Sequence, residues 1–151
     1  MINAQIAVNK LSTKAVVHKR SIKDYLALCK INVILLMLVT ALVGACLATD
    51  MRPDLQLLSL GLIGIALVAA SGAAFNHGID QQRDKVMART RHRPLVNNKL
   101  SLRQVYSFAS LILILGFSLL FFWVNPLTAI LSLASMVGYA LIYSHWLKPL
   151  T

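Results

Sequence analysis

Glutamate is absent from this sequence, and only five aspartates stand against fifteen lysines and arginines. Charged residues are 13% of the 151, about half the share a soluble domain carries. That scarcity argues against a water-facing globule. Cysteine is nearly as rare. Cys29 and Cys46 stand alone, without a CxxC spacing, and two thiols cannot complete a zinc site or a redox centre. Both fall in or beside the first apolar run and read as packing residues. The formal charge of +10 comes without a recognition helix or a platform of stacking aromatics. It therefore argues for no nucleic acid partner and for basic loops that orient apolar spans.

Hydrophobic residues make up 58% of the chain, and they are gathered into four runs. These predict transmembrane helices over 31–49, 55–75, 105–124 and 127–147, each with about the 20 residues that a bilayer core requires. Helix is the only option for such runs in a lipid bilayer, because lipid offers no partner to a free backbone amide. The expected fold class is all-α, a polytopic transmembrane helical bundle with four transmembrane helices. "DMRPD" joins the first two runs and Asn125-Pro126 the last two, so each pair is an antiparallel hairpin. Residues 1–23 form a basic arm without an acid. The arm lacks an apolar core followed by a cleavage site, so it reads as a cytoplasmic arm and not as a secretory signal. All lysines and arginines except Arg52 fall on the side of the membrane that holds the arm, the long loop and the tail. The positive-inside rule then puts these three segments in the cytoplasm, and the short arm favours a bacterial inner membrane.

The second span is rich in small residues, and the Ala66/Ala70/Ala74 spacing predicts close helix packing. If its helix continues past Phe75, Asn76, Asp80 and Asp84 fall at i, i+4 and i+8 along one broad face, with Gly72 leaving room beside Asn76. The two carboxylates are then about 6 Å apart along the axis, and something positive is expected to offset their repulsion. Arg83 and Lys85 point to other faces. Mg²⁺ would suit: it takes oxygen ligands, keeps several waters and is commonly held by one or two carboxylates plus substrate phosphates. Arg89, Arg91 and Arg93 would suit the remaining phosphate charge through their planar forks. An orienting loop with internal ion pairs is the other reading, and spacing alone leaves both open. His77 and His92 lie near this row and are open between interface anchor and phosphate donor, and His145 lies near the end of the fourth run.

"NHGIDQQRD" fits the N-x-x-x-D-x-x-x-D motif of the UbiA superfamily of membrane prenyltransferases, and "KVMARTRHRPLV" resembles its continuation in the protoheme IX farnesyltransferase (haem O synthase) branch. "YLALCKINVILLMLVTALVGACLA" is similar to that branch's first helix. "YALIYSHWLKPLT" is similar to its fourth helix and following turn. The resemblance runs from about Tyr25 onward. It implies a Mg²⁺-dependent prenyltransferase of haem biosynthesis that moves a farnesyl group from farnesyl diphosphate to a vinyl group of haem B, giving haem O. Residue by residue, it implies that Asp80, Asp84 and Asn76 are the catalytic Mg²⁺–diphosphate motif. Arg89 and Arg93 match its basic partners, Tyr143 and Lys148 the second turn, and Lys30 is a further phosphate contact or a headgroup anchor.

Two departures matter. The family's Lys-Pro turn at the first helix is Lys30-Ile31 here, which is expected to alter how that helix begins. The family's chains run to roughly double this length and carry a second aspartate motif, whereas no acidic residue follows Asp84. Residues 24–151 are thus expected to be the N-terminal half of a prenyltransferase domain, about half of a UbiA-type fold, inactive without the missing C-terminal half. The alternatives are an aromatic (4-hydroxybenzoate-type) polyprenyltransferase, whose motif often begins Asn-Asp where this chain has Asn76-His77, and a noncatalytic or degenerate membrane fragment.

Overall fold

The computed structural model describes residues 22–49, 52–86, 90, 93–97 and 99–139. The fold is all-α: α1 (Ile22–Leu28), α2 (Ile31–Ala48), α3 (Leu55–Ile79), α4 (Gln81–Val86), α5 (Leu102–Trp123) and α6 (Pro126–Val137). The three longest span about 27, 37 and 33 Å at 1.5 Å per residue, and each is apolar enough to cross a bilayer. The chain is a polytopic membrane protein.

The expectation of four spans is corrected. Among the described residues three helices have transmembrane length, not four. The segment expected to span at 127–147 holds a helix of 12 residues, about 18 Å long and short of the roughly 30 Å hydrocarbon core. Hydropathy sees only the apolar run, and the regular helix within it closes at Val137. Gly138 caps it with φ −56 and ψ −46, its amide donating to the Ala134 carbonyl, and 140–147 lie outside the described residues, as does nearly all of the basic arm.

Local chemistry sets the helix starts. Asp54 caps α3, its Oδ1 accepting from the amides of Gln56 at 2.8 Å and Leu57 at 3.2 Å. Ser101 and Gln104 form a reciprocal capping box on α5. Asn125 caps α6, and Pro126 follows at the first helical position, where a missing N–H costs nothing. Between α1 and α2, Lys30 takes φ 48 and ψ 56. The turn expected to differ without its proline is made by a left-handed lysine.

α3 is the centre of the bundle, packed against α1, α2, α5 and α6, with its most extensive contact along α5. That contact is close because two glycines meet there. A Cβ on Gly116 would stand 2.8 Å from Leu67 Cβ, 3.0 Å from Val68 N and 3.1 Å from the Gly64 oxygen. One on Gly64 would stand 2.6 Å from Leu120. Val68, Leu120 and Ala129 form a core beside this crossing. A second core lies at the end that carries the long loop: Leu28, Ala74, Leu95, Leu100, Val105 and Ala109. There Tyr25 packs on Phe108 with ring centroids 4.9 Å apart, and Lys99 reaches Asp24 at 3.8 Å. α2 is different: none of its residues is buried. It is apolar on every side, the pattern of a helix that meets lipid around most of its surface.

Candidate functional site

The α3 helix continues past Phe75, as the spacing requires. Asp80 accepts the end of α3 with φ −80 and ψ −1, its amide donating to the Asn76 oxygen at 2.9 Å. The Asp84 amide donates in turn to the Asp80 oxygen at 2.9 Å. The i→i+4 ladder thus runs from Asn76 through Asp80 to Asp84 across the junction of α3 and α4. The three side chains occupy successive turns of one row, and all three residues are buried, Asp80 to within 1% of full burial.

The charge expected to offset this row comes from the loop. Arg93 Nη1 donates to Asp84 Oδ2 in an ion pair. The loop is folded to make this possible. Thr90 Oγ1 donates to the Asp84 carbonyl at 2.8 Å, the Arg93 amide to the Thr90 carbonyl at 3.1 Å, and Leu95 anchors the segment in the lower core. Asn97 and Lys99 close two further turns onto Arg93 and Pro94. His77 is also buried, and its Nε2 has no hydrogen-bond partner among the described residues.

A cavity of about 490 Å³ opens between α2, α3 and α6. Its wall is apolar except for a few hydroxyls, the Cys29 thiol and Lys30. On α3 the wall is formed by Ile65, Ala69, Gly72 and Ala73. Gly72, Asn76, Asp80 and Asp84 are successive i+4 positions, so the carboxylate row is the continuation of the cavity wall toward the loop. The space at Gly72 is taken up from across the cavity: a Cβ there would meet Met136 Cγ at 2.8 Å, so the glycine makes room for α6 and not for Asn76. At the same end Lys30 Nζ donates to the Tyr139 hydroxyl at 3.4 Å. Cys29 is a neutral packing group. Its Sγ lies 3.4 Å from the Tyr25 carbonyl, and burial pushes the thiol pKa up.

Of the residues expected to form a site, the structure brings together Asn76, Asp80, Asp84 and Arg93, with Lys30 nearby. Arg89, Tyr143 and Lys148 lie outside the described residues, as do His92 and His145. Tyr139 was missed. Its sequence signal was available, since Thr128, Ser132, Ser135 and Tyr139 follow one helical face of α6. Among the described residues no three His, Cys, Asp or Glu side chains converge on a metal-sized site. The local donor set is two carboxylates and a carboxamide oxygen. That set fits Mg²⁺, which takes its other ligands from water and phosphate.

A buried aspartate row where a membrane-length helix meets a basic loop, beside an apolar cavity, defines a class that the sequence itself confirms. The profile of the UbiA prenyltransferase family matches residues 37–151, and the chain belongs to that family. The protoheme IX farnesyltransferase of Shewanella denitrificans is 51% identical over 129 residues, covering 85% of this chain and 43% of that protein. The protoheme IX farnesyltransferase of Idiomarina loihiensis is 47% identical over 146 residues, covering 97% of this chain and 48% of that protein. The chain spans about half the length of the curated relatives it matches. No solved structure matches it.

Proposed function

We propose that this chain forms the diphosphate-binding part of a haem-farnesylating membrane enzyme, acting on farnesyl diphosphate and haem B. One observation carries the reading: the buried Asn76–Asp80–Asp84 row prolongs the wall of an apolar cavity inside a membrane bundle. An amphiphile with an anionic head and an isoprenoid tail matches that pairing. The similarity to two protoheme IX farnesyltransferases supports haem B as the acceptor over 4-hydroxybenzoate.

The farnesyl tail lies along α2, α3 and α6, in a wall that excludes water. Exclusion matters because water would trap an allylic cation. Asp80, Asp84 and Asn76 would hold Mg²⁺, which when bound supplies Lewis-acid stabilisation of the leaving diphosphate. Arg93 is fixed by its pair with Asp84 and by the Leu95 anchor, and it presents its other guanidinium N–H groups to the diphosphate. Lys30 adds a second positive charge from the opposite side. As the allylic C–O bond breaks, its electron pair leaves with the diphosphate, and these fixed cations stabilise that charge without reorganisation. The vinyl π electrons of haem B then form the bond to farnesyl C1, and the cation left on the other vinyl carbon is captured by water, which loses a proton to leave a hydroxyl. Arg89, Tyr143 and Lys148 are proposed as further diphosphate contacts. The loop carries the basic excess, so the aspartate row faces the cytoplasm, in a bacterial inner membrane.

The test is transfer itself. Membranes carrying this chain together with the complementary half of the Shewanella denitrificans relative receive radiolabelled farnesyl diphosphate and either haem B or 4-hydroxybenzoate. Labelled haem that depends on Mg²⁺ is the expected product, and it disappears with Asp80→Asn. Label on 4-hydroxybenzoate alone would overturn the acceptor. Undiminished transfer by the Asp80→Asn chain would overturn the site.

A further inference from the structure

We propose that Tyr139 is a positioning residue, which holds the Lys30 ammonium at the loop-end mouth of the cavity, where it meets the diphosphate of a bound isoprenyl diphosphate. The proposal rests on the diphosphate-binding reading above and names a residue and a coupling that reading does not contain.

Two independent features converge on this pair. Lys30 is the single non-glycine residue with positive φ among the described residues. For an L-residue this conformation costs roughly 1–2 kcal/mol, and such strain persists where the surrounding structure over-determines it. The kink it makes ends α1 and starts α2. It also leaves the Lys30 side chain facing α6 across the cavity, in contact with Tyr139. The second is the contact itself. Nζ lies 3.4 Å from the Tyr139 hydroxyl and 6.0 Å from the ring centroid, within reach of both the oxygen lone pair and the π face.

The chemistry explains why a lysine here needs a partner. Its ammonium is a strongly hydrated point charge on a flexible four-carbon stem. At a membrane surface such a group snorkels to the headgroups and away from an apolar cavity. Among the described residues that line the cavity it is the one charged group. The Tyr139 hydroxyl accepts from the ammonium, and this contact favours an ammonium held at the cavity mouth that both residues line. The pair therefore clamps the substrate head from the α2–α6 side, while the aspartate row holds it from α3.

Equilibrium binding of farnesyl diphosphate, measured with Mg²⁺ on the chain reconstituted in phosphatidylcholine vesicles, tests the coupling. Tyr139→Phe keeps the ring and its packing, so the fold is retained, as helical circular dichroism will show. It is expected to weaken binding about tenfold, the size of a lost hydrogen bond to a charged group. Lys30→Gln is expected to weaken binding at least as much. Adding Tyr139→Phe to Lys30→Gln should cost nothing more, because the tyrosine acts through the lysine. Unchanged affinity in Tyr139→Phe, or two effects that simply add, would overturn the inference. Asp80→Asn separates the two readings. If it abolishes binding while Tyr139→Phe leaves it intact, only the Tyr139 role falls. If Asp80→Asn binds as the unchanged chain does, the diphosphate site falls and takes this inference with it.

Discussion

Asp84 shows how a buried charge is tolerated at this site. Its side chain is 5% exposed and that of Arg93 is 26% exposed, so the pair is largely out of water and the carboxylate cannot rely on solvent. Removing one member of a buried pair is costlier than the pair is stabilising, because the other charge is left uncompensated. Arg93→Ala is therefore expected to lower the stability of the chain by about 2–3 kcal/mol, somewhat below the range for fully buried pairs, since part of the guanidinium keeps its hydration. Thermal unfolding in detergent, followed by circular dichroism, will measure it. A midpoint within a degree of the unchanged chain would show that Asp84 is held by something else. The i, i+4, i+8 row was legible in the sequence because helical spacing fixes it once α3 is long enough. Arg93's choice of Asp84 was not, because it depends on how residues 90–97 fold back, and no periodicity encodes a loop path. Lys30's left-handed turn was invisible for the same reason: a lysine carries no signal for positive φ.

At the scale of the helix, the α3–α5 crossing rests on two glycines that leave no space for a side chain. At Gly116 the nearest atoms include backbone, Val68 N and the Gly64 oxygen, and backbone cannot rotate away as a side chain can. Gly116→Ala is expected to cost about 1–3 kcal/mol through overpacking. Gly44→Ala, with nothing within 4 Å of the added methyl, is expected to be neutral or to gain up to about 1 kcal/mol from helix propensity. Comparing the thermal midpoints of the two variants checks both. Equal midpoints would mean that the helices separate at no cost. Close packing of the second span was legible from its small residues: Ala70 and Ala74 are buried, and at Gly64 and Gly116 the helices leave no room for a side chain. Hydropathy likewise located the three long helices to within a few residues. Its fourth span has no counterpart of transmembrane length among the described residues, where α6 has 12 residues, because apolar content says how a stretch partitions and not how much of it is regular helix.

The whole molecule is organised around the polarity of α3, apolar wall at one end and acidic row at the other. That polarity explains why so basic a chain keeps two aspartates four residues apart, and why an arginine from the loop folds back to pair with one of them. Fold class and family were legible in the sequence because hydrophobic runs and a spaced motif are both one-dimensional signals. The cavity was not, because it is formed by three helices far apart in the chain. The central claim is that the aspartate row binds diphosphate through a divalent cation. Its most direct measurement is Mg²⁺-dependent binding of inorganic diphosphate to the chain in vesicles, with and without chelator. The account predicts binding that disappears on chelation and weakens at least tenfold in both Asp80→Asn and Asp84→Asn. Binding that survives chelation and both substitutions would contradict it.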